Sequence, residues 1–269
     1  MITSVNGHPF GYDEQGDGDA LVFLHGFPHD RSLWTAQRRA LASRVRVIVP
    51  DLRGFGESTT RGPYSMDQCA DDVVALLDVL GIEQAIVCGL SMGGYVAMAL
   101  WRRHAARVRA LVLCDTKAPA DTDAGRTARD EAIDLVRADG VAALADRQLA
   151  KMVGDTTHSQ RPDVVASMRA MMSRQSPDGV IGALTALRDR PDSRETLASI
   201  TVPTLILVGS EDVLTPLTEA QAMLERLPAQ ADGRLEVITD AGHATCVERP
   251  AAVTFALHEF LATLPVDRE

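Results

Sequence analysis

Three residues far apart in the chain could together carry out nucleophilic catalysis: Ser91, Asp212 and His243. A serine hydroxyl is a weak nucleophile until a neighbouring base takes its proton, and that base needs an acid to orient it. We predict Ser91 as the nucleophile, His243 as general base and then general acid, and Asp212 as the residue that fixes the imidazole tautomer. Asp115, at the end of another apolar run, is an alternative orienting acid.

The proposed nucleophile lies in Gly-Leu-Ser-Met-Gly at 89–93, between two apolar runs of different character. The run before it, at 85–90, is typical of a buried strand, and the Ala/Met/Leu-rich run after it is typical of a helix. The serine then occupies the tight turn between them, where glycines on either side avoid collisions. The free N–H groups at the start of that helix face any anion that forms at the serine.

An oxyanion in a tetrahedral intermediate needs fixed hydrogen-bond donors. The backbone N–H of Met92, directly after the serine, is one expected donor. The other is the backbone N–H of Phe27, in the His-Gly-Phe-Pro loop at 25–28 that follows an apolar run. The sequence therefore predicts an oxyanion hole built from Phe27 and Met92.

Strands and helices alternate through the first part of the chain. A hairpin with an Asn6-Gly7 turn comes first. Strands are predicted at 20–24, 45–49, 85–90 and 108–114, and helices at 32–42 and 65–80 and after the serine. Short links between alternating elements indicate a parallel sheet that is covered on both faces. The carboxyl ends of such strands meet at one edge, where all three predicted catalytic residues would lie.

The alternation stops between about 116 and 200, where five segments have helical patterns. They lie near 123–138, 141–152, 162–174, 177–188 and 193–198. Strand and helix patterns then resume at 204–208, 216–227, 235–238 and 250–264. We therefore predict a core formed by 1–115 and 201–269, with a helical cap inserted at 116–200.

Composition narrows the range of partners. The chain has 269 residues, with 27 basic and 37 acidic side chains and a formal charge of −10, which opposes binding to nucleic acid or an anionic membrane. Residues 1–16 lack the apolar segment of a signal peptide, and no apolar run reaches membrane-spanning length. Four scattered cysteines favour reduced thiols in a cytoplasmic protein, and no cluster has metal-ligand spacing. We expect no cofactor or metal; whether the chain forms a homodimer stays open.

Several motifs together resemble the α/β-hydrolase superfamily. They are His-Gly-Phe-Pro at 25–28, Asp-Leu-Arg-Gly-Phe-Gly-Glu-Ser at 51–58, Gly-Leu-Ser-Met-Gly-Gly at 89–94, Gly-Ser-Glu-Asp at 209–212 and Ala-Gly-His at 241–243. Within it, the chain resembles the small bacterial esterase/lactonase group with 3-oxoadipate enol-lactonases, arylesterase/perhydrolases and acyl-homoserine-lactone-cleaving esterases. The resemblance implies an α/β-hydrolase fold: a mostly parallel eight-stranded sheet with helices on both faces and an inserted helical cap.

The same resemblance implies a serine hydrolase that cleaves carboxylic esters or lactones of small to medium acyl groups through an acyl-enzyme. Cofactor-free C–C bond hydrolysis, perhydrolysis and a slow-turnover ligand receptor are the alternatives on the same residues. Epoxide hydrolases and haloalkane dehalogenases are disfavoured, because they carry an aspartate where this chain has Ser91. The segment 116–200 also lacks the Tyr and Trp that those enzymes use.

The substrate pocket is expected to combine core aromatics with cap methionines. Trp34 and Tyr95 are the predicted aromatic lining, because the cap has no Phe, Trp or Tyr. From the cap we expect Met152, Met168 and Met172, whose flexible side chains adapt to varied shapes. Packing between cap helices is the alternative role for each methionine.

Overall fold

A mostly parallel sheet of eight strands forms the centre of the computed structural model, which describes residues 1–60 and 62–265. The strands are β1 (Ile2–Val5), β2 (His8–Gln15), β3 (Ala20–Leu24), β4 (Arg46–Pro50), β5 (Ala85–Leu90), β6 (Val108–Cys114), β7 (Thr204–Gly209) and β8 (Arg234–Ile238). Their order across the sheet is β1-β2-β4-β3-β5-β6-β7-β8. The β1–β2 and β2–β4 pairs are antiparallel and the others are parallel, which confirms the predicted sheet.

Helices connect the strands and cover both faces of the sheet. They are α1 (Thr35–Leu41), α2 (Met66–Val79), α3 (Met92–His104), α4 (Asp123–Met152), α5 (Asp155–Gln160), α6 (Pro162–Ser173), α7 (Pro177–Arg188), α8 (Arg194–Ala198), α9 (Leu217–Arg226), α10 (Thr245–Glu248) and α11 (Pro250–Thr263). The apolar side chains of α2, α3 and α9 belong to one core cluster, and those of α1 and α11 belong to another. None of these helices, within the described residues, combines the length and apolarity needed to cross a bilayer.

Strand β3 shows why the central strands read as unbroken apolar runs. All five of its residues are buried. Val22 and Leu24 pack in the cluster under α2 and α3, whereas Leu21 and Phe23 pack in the cluster under α1 and α11. Successive side chains of a strand point to opposite faces, so a strand covered on both faces must be apolar at every position.

Local signals in the sequence position the first elements as predicted. Asn6 and Gly7 both have positive φ angles, 49° and 79°, and Val5 pairs with His8 across this two-residue turn. Such a turn matches the twist of a hairpin, and both positions tolerate the left-handed region. Ser65 accepts a hydrogen bond from the Gln68 backbone N–H, while the Gln68 side chain accepts one from the Ser65 N–H. This capping box opens α2.

The helices α4 to α8 fill the segment between β6 and β7, where no strand occurs among the described residues. The range of α4 contains two helical runs, as predicted at 123–138 and 141–152, separated by a kink at Gly140, whose φ of 83° and ψ of 175° are not helical. Pro162 and Pro177 are the first residues of α6 and α7, as expected for a residue with a fixed φ and no N–H. The sequence did not predict α5, a helix of six residues.

A buried ion pair fastens the loop after β4 to the sheet-covering helix α2. The Arg53 guanidinium donates two hydrogen bonds of 2.7 Å to the Asp72 carboxylate, and the Asn6 side-chain amide donates a third of 2.9 Å. Both members of the pair are buried. Such a carboxylate is stable only while its hydrogen bonds compensate for lost hydration.

We expect the substitution Arg53→Met to lower the free energy of unfolding by about 3 kcal/mol, because it leaves the Asp72 charge buried with one donor. Urea denaturation measures this loss. The matched control Arg169→Met breaks an exposed pair with Asp146 and should change stability much less. The double variant Arg53→Met/Asp72→Leu removes both charges and should recover most of the loss. If the single variant is as stable as the parent, the ion pair contributes nothing.

Candidate active site

The turn between β5 and α3 holds Ser91 in a strained conformation. Its φ and ψ are 54° and −111°, a region that non-glycine residues rarely adopt. Close packing on either side requires glycine: a Cβ on Gly89 would lie 2.2 Å from the Gly93 carbonyl oxygen, and one on Gly93 would lie 2.3 Å from the Leu24 carbonyl oxygen. The Ser91 N–H donates to the Cys114 carbonyl at 2.8 Å, which ties the turn to β6. The serine side chain is thereby held beyond the end of β5.

The structure brings the three predicted catalytic residues into one hydrogen-bonded chain. His243 Nε2 lies 2.8 Å from Ser91 Oγ, and His243 Nδ1 lies 2.8 Å from Asp212 Oδ2. Asp212 follows β7 and His243 follows β8, so all three residues extend from the carboxyl edge of the same sheet. With Nδ1–H donating to the carboxylate, Nε2 is free to accept the serine proton.

Asp212 is held as a carboxylate by its surroundings. Its Oδ1 accepts hydrogen bonds from the backbone N–H groups of Leu214 (2.8 Å) and Thr215 (3.0 Å), and its Oδ2 accepts one from the Thr215 hydroxyl (2.6 Å). Burial opposes the charge, but attraction to His243 and these hydrogen bonds outweigh it, so the pKa of Asp212 lies below its usual value. Sequence reasoning missed Thr215, although a loop aspartate followed closely by Thr favours such a turn.

The alternative acid, Asp115, has different partners. It accepts hydrogen bonds from the Gly209 N–H at 2.9 Å and from the Thr245 hydroxyl, and it lies at a positive φ of 44° at the end of β6. Burial, followed by repulsion from Asp212, raises the pKa of Asp115 well above its ordinary value. The imidazole of His243 contacts Asp212. Asp115 instead holds together the loops around His243, through its bonds to Gly209 and Thr245.

Glu248 holds the histidine loop and the cap together. Its buried carboxylate accepts hydrogen bonds from the backbone N–H groups of Gly242 (2.9 Å) and Ala244 (3.1 Å), on either side of His243. It also accepts one from Gly154 in the cap (2.8 Å). Glu211, next to Asp212, accepts a hydrogen bond of 2.9 Å from the Thr156 N–H at the start of α5. Neither carboxylate is among the catalytic or pocket residues predicted from the sequence.

The expected oxyanion donors lie on the two sides of the serine. Met92 is the first residue of α3, and Phe27 lines the same cavity as Ser91. Neither backbone N–H donates a hydrogen bond within the described chain. His25 braces the Phe27 loop: its Nδ1–H donates to the Gly26 carbonyl at 2.8 Å, and its Nε2 accepts from the Leu52 N–H at 2.9 Å. Burial lowers the pKa of His25, which favours this neutral form.

A cavity of about 480 Å³ opens onto two of the predicted catalytic residues, Ser91 and His243. Ser91 and His243 lie in its wall, and so do Phe27, Tyr95 and Met152. A cavity of this size is typical of small-molecule sites. Of the five residues expected to line the substrate pocket, Tyr95 and Met152 line this cavity.

Three of the expected pocket residues lie elsewhere. Trp34 is fully buried and stacks on Phe23 at a centroid distance of 4.6 Å, in the core cluster under α1 and α11. Met168 is fully buried in that same cluster, and Met172 is fully buried against Met152. These side chains pack between secondary-structure elements, which is the alternative role expected for the methionines. An amphipathic helix buries its apolar face and does not present it to the cavity.

His29, next to the oxyanion loop, is another buried histidine of this region. Burial, followed by repulsion from His25 and His243, lowers its pKa to about 3. The imidazole of His29 is thus neutral at ordinary pH. Among the described residues, neither of its ring nitrogens has a hydrogen-bond partner.

The described residues contain no group of three or more His, Cys, Asp or Glu side chains placed to hold a metal ion. All four cysteines are buried as free thiols, and Cys88 Sγ lies 3.8 Å from Cys114 Sγ. Burial raises the pKa of Cys88 and of Cys246, which favours the uncharged thiol.

Comparison with known proteins identifies the fold. A family model described as the alpha/beta hydrolase fold matches residues 19–250. The chain is 32% identical over 252 residues to 3-oxoadipate enol-lactonase 1 of Acinetobacter baylyi, covering 93% of this chain and 92% of that protein.

Solved structures agree with that match. A thermophilic esterase from Thermogutta terrifontis superimposes with a TM-score of 0.93 at 38% identity, over 98% of this chain and 97% of that one. The enol-lactonase from Burkholderia xenovorans gives a TM-score of 0.90 at 30% identity, over 97% and 100%. The resemblance predicted from the motifs is confirmed, and the chain belongs to the α/β hydrolase family.

Proposed function

We propose that this protein hydrolyses carboxylic esters or lactones of small to medium acyl groups through an acyl-enzyme on Ser91. The observation that carries the proposal is the continuous chain from Asp212 through His243 to Ser91, with two distances of 2.8 Å. A buried imidazole held at both nitrogens is arranged to take a proton from the hydroxyl and return it to a leaving group.

In the acylation step the Ser91 oxygen attacks the carbonyl carbon while its proton passes to His243 Nε2. The carbonyl oxygen becomes an oxyanion, which the N–H groups of Phe27 and Met92 stabilise. The Asp212 carboxylate stabilises the imidazolium that forms. When the intermediate collapses, the bond to the alcohol oxygen breaks and that oxygen receives the proton from Nε2. A lactone would open in the same step, with its alcohol left attached to the acyl group.

Deacylation repeats this chemistry with water as the nucleophile. His243 takes a proton from the water, whose oxygen adds to the acyl carbon, and Ser91 leaves with the returned proton. The acid is released and the resting hydrogen-bonded chain is restored. Because the same donors face the oxyanion in both steps, no further group is required.

The activities named for the relatives support an ester or lactone as substrate. An enol-lactonase and an esterase are each more than 30% identical to this chain over most of its length. The cavity supports a small to medium acyl group, because its volume of about 480 Å³ is partly walled by the apolar side chains of Met152, Leu187 and Leu214.

Replacing the nucleophile tests the mechanism. We expect Ser91→Ala to lower kcat/KM for p-nitrophenyl butyrate by at least about 10⁴-fold, because only water attack assisted by the oxyanion donors remains. Mass spectrometry of the parent during turnover should show one butyryl group on Ser91. Ser167→Ala, an exposed serine of α6, is the matched control and should keep the parent rate. Undiminished hydrolysis by Ser91→Ala would refute the mechanism.

Replacing each carboxylate in turn tests which one orients the imidazole. Asp212→Asn should lower kcat by about 10³–10⁴-fold, because an amide in place of the carboxylate favours the wrong imidazole tautomer. Asp115→Asn is the comparison: burial already favours the uncharged form of that carboxyl, so kcat should change only a few fold. Steady-state kinetics on p-nitrophenyl butyrate, with thermal unfolding as a check on folding, give both values. The reverse order of effects would assign the role to Asp115.

A further inference from the structure

Both lysines of this protein face the catalytic cavity. The chain has 27 basic residues, of which only Lys117 and Lys151 are lysine. Lys117 follows the end of β6 and is half-buried, and Lys151 is near the end of α4. Arg147, one helical turn before Lys151, lines the same cavity. Positions four apart on a helix share one face, so α4 presents two cations to the cavity wall.

Among the described residues, these three cations lack the carboxylate partner that the other basic residue of the cavity lining, Arg129, has. Arg129 lies 3.0 Å from an Asp121 oxygen, and Arg190, whose guanidinium lies over the Tyr95 ring, is 2.7 Å from the other. Within the described residues, by contrast, the side chains of Lys117, Arg147 and Lys151 make no hydrogen bond or ion pair.

The local charge of the cavity opposes that of the whole protein. Asp121 forms ion pairs with Arg129 and Arg190. The other acidic side chain of the cavity lining is Glu131, on the exposed side of α4. Three cations against one carboxylate leave an excess of positive charge in a chain whose formal charge is −10. Grouping like charges without partners costs free energy, which a bound anion would recover.

A second unpartnered polar group lies in the same wall. The side-chain oxygen of Gln148 is buried, and no hydrogen-bond partner exists for it among the described residues. Gln148 lies between Arg147 and Lys151 in the chain and also lines the cavity. An amide that can offer either its oxygen or its NH₂ group suits a polar ligand group beside the cations.

We propose that Lys117, Lys151 and Arg147 bind a carboxylate of the substrate, at a position separate from the carbonyl that Ser91 attacks. This inference rests on the proposed hydrolase function and narrows its substrate class to esters or lactones that carry a second, free carboxylate. Lysine and arginine N–H groups bind carboxylates by charge-assisted hydrogen bonds. Apolar Leu187 and Leu214, in the same cavity, suit the carbon chain that joins the two groups.

The test compares charged esters with uncharged esters of the same shape. One pair places the charge on the acyl side: p-nitrophenyl hemiglutarate and p-nitrophenyl 5-methylhexanoate. The other places it on the alcohol side: para-carboxyphenyl butyrate and para-isopropylphenyl butyrate. For each pair, the readout is the ratio of kcat/KM for the charged ester to that for the uncharged ester, after correction for spontaneous hydrolysis. A general loss of activity lowers both kcat/KM values equally and therefore leaves the ratio unchanged.

We expect the double variant Lys117→Gln/Lys151→Gln to lower this ratio about tenfold for at least one pair. The charge-preserving variant Lys117→Arg/Lys151→Arg should keep most of the parent ratio. Arg137→Gln removes one charge from an exposed arginine of α4 outside the cavity lining and should leave the ratio unchanged. Added salt should lower the parent ratio, because it screens the attraction. If the glutamine variant keeps the parent ratio for both pairs, the proposal is wrong.

Chemical modification gives the same test on protein that is already folded. An amine-selective acetylating reagent can react only with Lys117, Lys151 and the N-terminal amine, which donates to the Tyr12 carbonyl in the β1–β2 hairpin. Acetylation should lower the parent ratio as the glutamine variant does. It should leave the arginine variant unchanged, because guanidinium groups do not react. An equal effect on both proteins would overturn the proposal.

The two proposals fail in different ways. If Ser91-dependent hydrolysis of the uncharged esters persists but the ratios do not respond to the lysines, only the carboxylate site is refuted. If Ser91→Ala hydrolyses both esters of a pair as fast as the parent, the hydrolase mechanism itself is refuted.

Discussion

The imidazole of His243 must reach a hydroxyl with one nitrogen and a carboxylate with the other, and the rest of the site depends on this double contact. The two partners come from loops that follow β5 and β7, while the histidine follows β8. The parallel strands of this sheet end at one edge, which brings these three loops together. The strained backbone at Ser91 is a local cost of the turn that holds its hydroxyl 2.8 Å from the imidazole.

Three buried carboxyl groups near this histidine differ because their partners differ. Asp212 gains an imidazole and three hydrogen bonds, which keep its pKa low despite burial. Asp115 lies deeper, beside that negative charge, and its pKa is raised. Glu248 accepts three backbone N–H groups and so fixes the path of the chain on either side of His243. The same functional group, a carboxyl, thus stabilises charge in one place, braces loops in another and holds the backbone in a third, according to the donors that face it.

The sheet and the candidate catalytic residues could be predicted because both require recognisable patterns in the sequence. Apolar runs of strand length are required wherever a strand is covered on both faces. Glycine is required on either side of Ser91 because a Cβ at Gly89 or Gly93 would lie 2.2–2.3 Å from a backbone oxygen. The residues that line the pocket follow no such pattern. Trp34 and Met168 are buried in the core. A helical pattern of apolar residues does not show whether the apolar face packs against the core or lines a cavity. Lysine is rare in this chain, but Lys117 and Lys151 are 34 positions apart, a spacing that matches no helix or strand repeat. Only the fold shows that both residues line the same cavity.

Glu248 joins the helical segment between β6 and β7 to the loop that carries His243. Glu248 accepts the N–H of Gly154, three residues beyond Lys151, and the N–H of Gly242, one residue before His243. The end of α4, whose Lys151 lines the cavity, is therefore positioned by the same carboxylate that positions the loop of His243. A shift of this part of the cap would have to break buried hydrogen bonds to a charged group, which are costly to leave unmade.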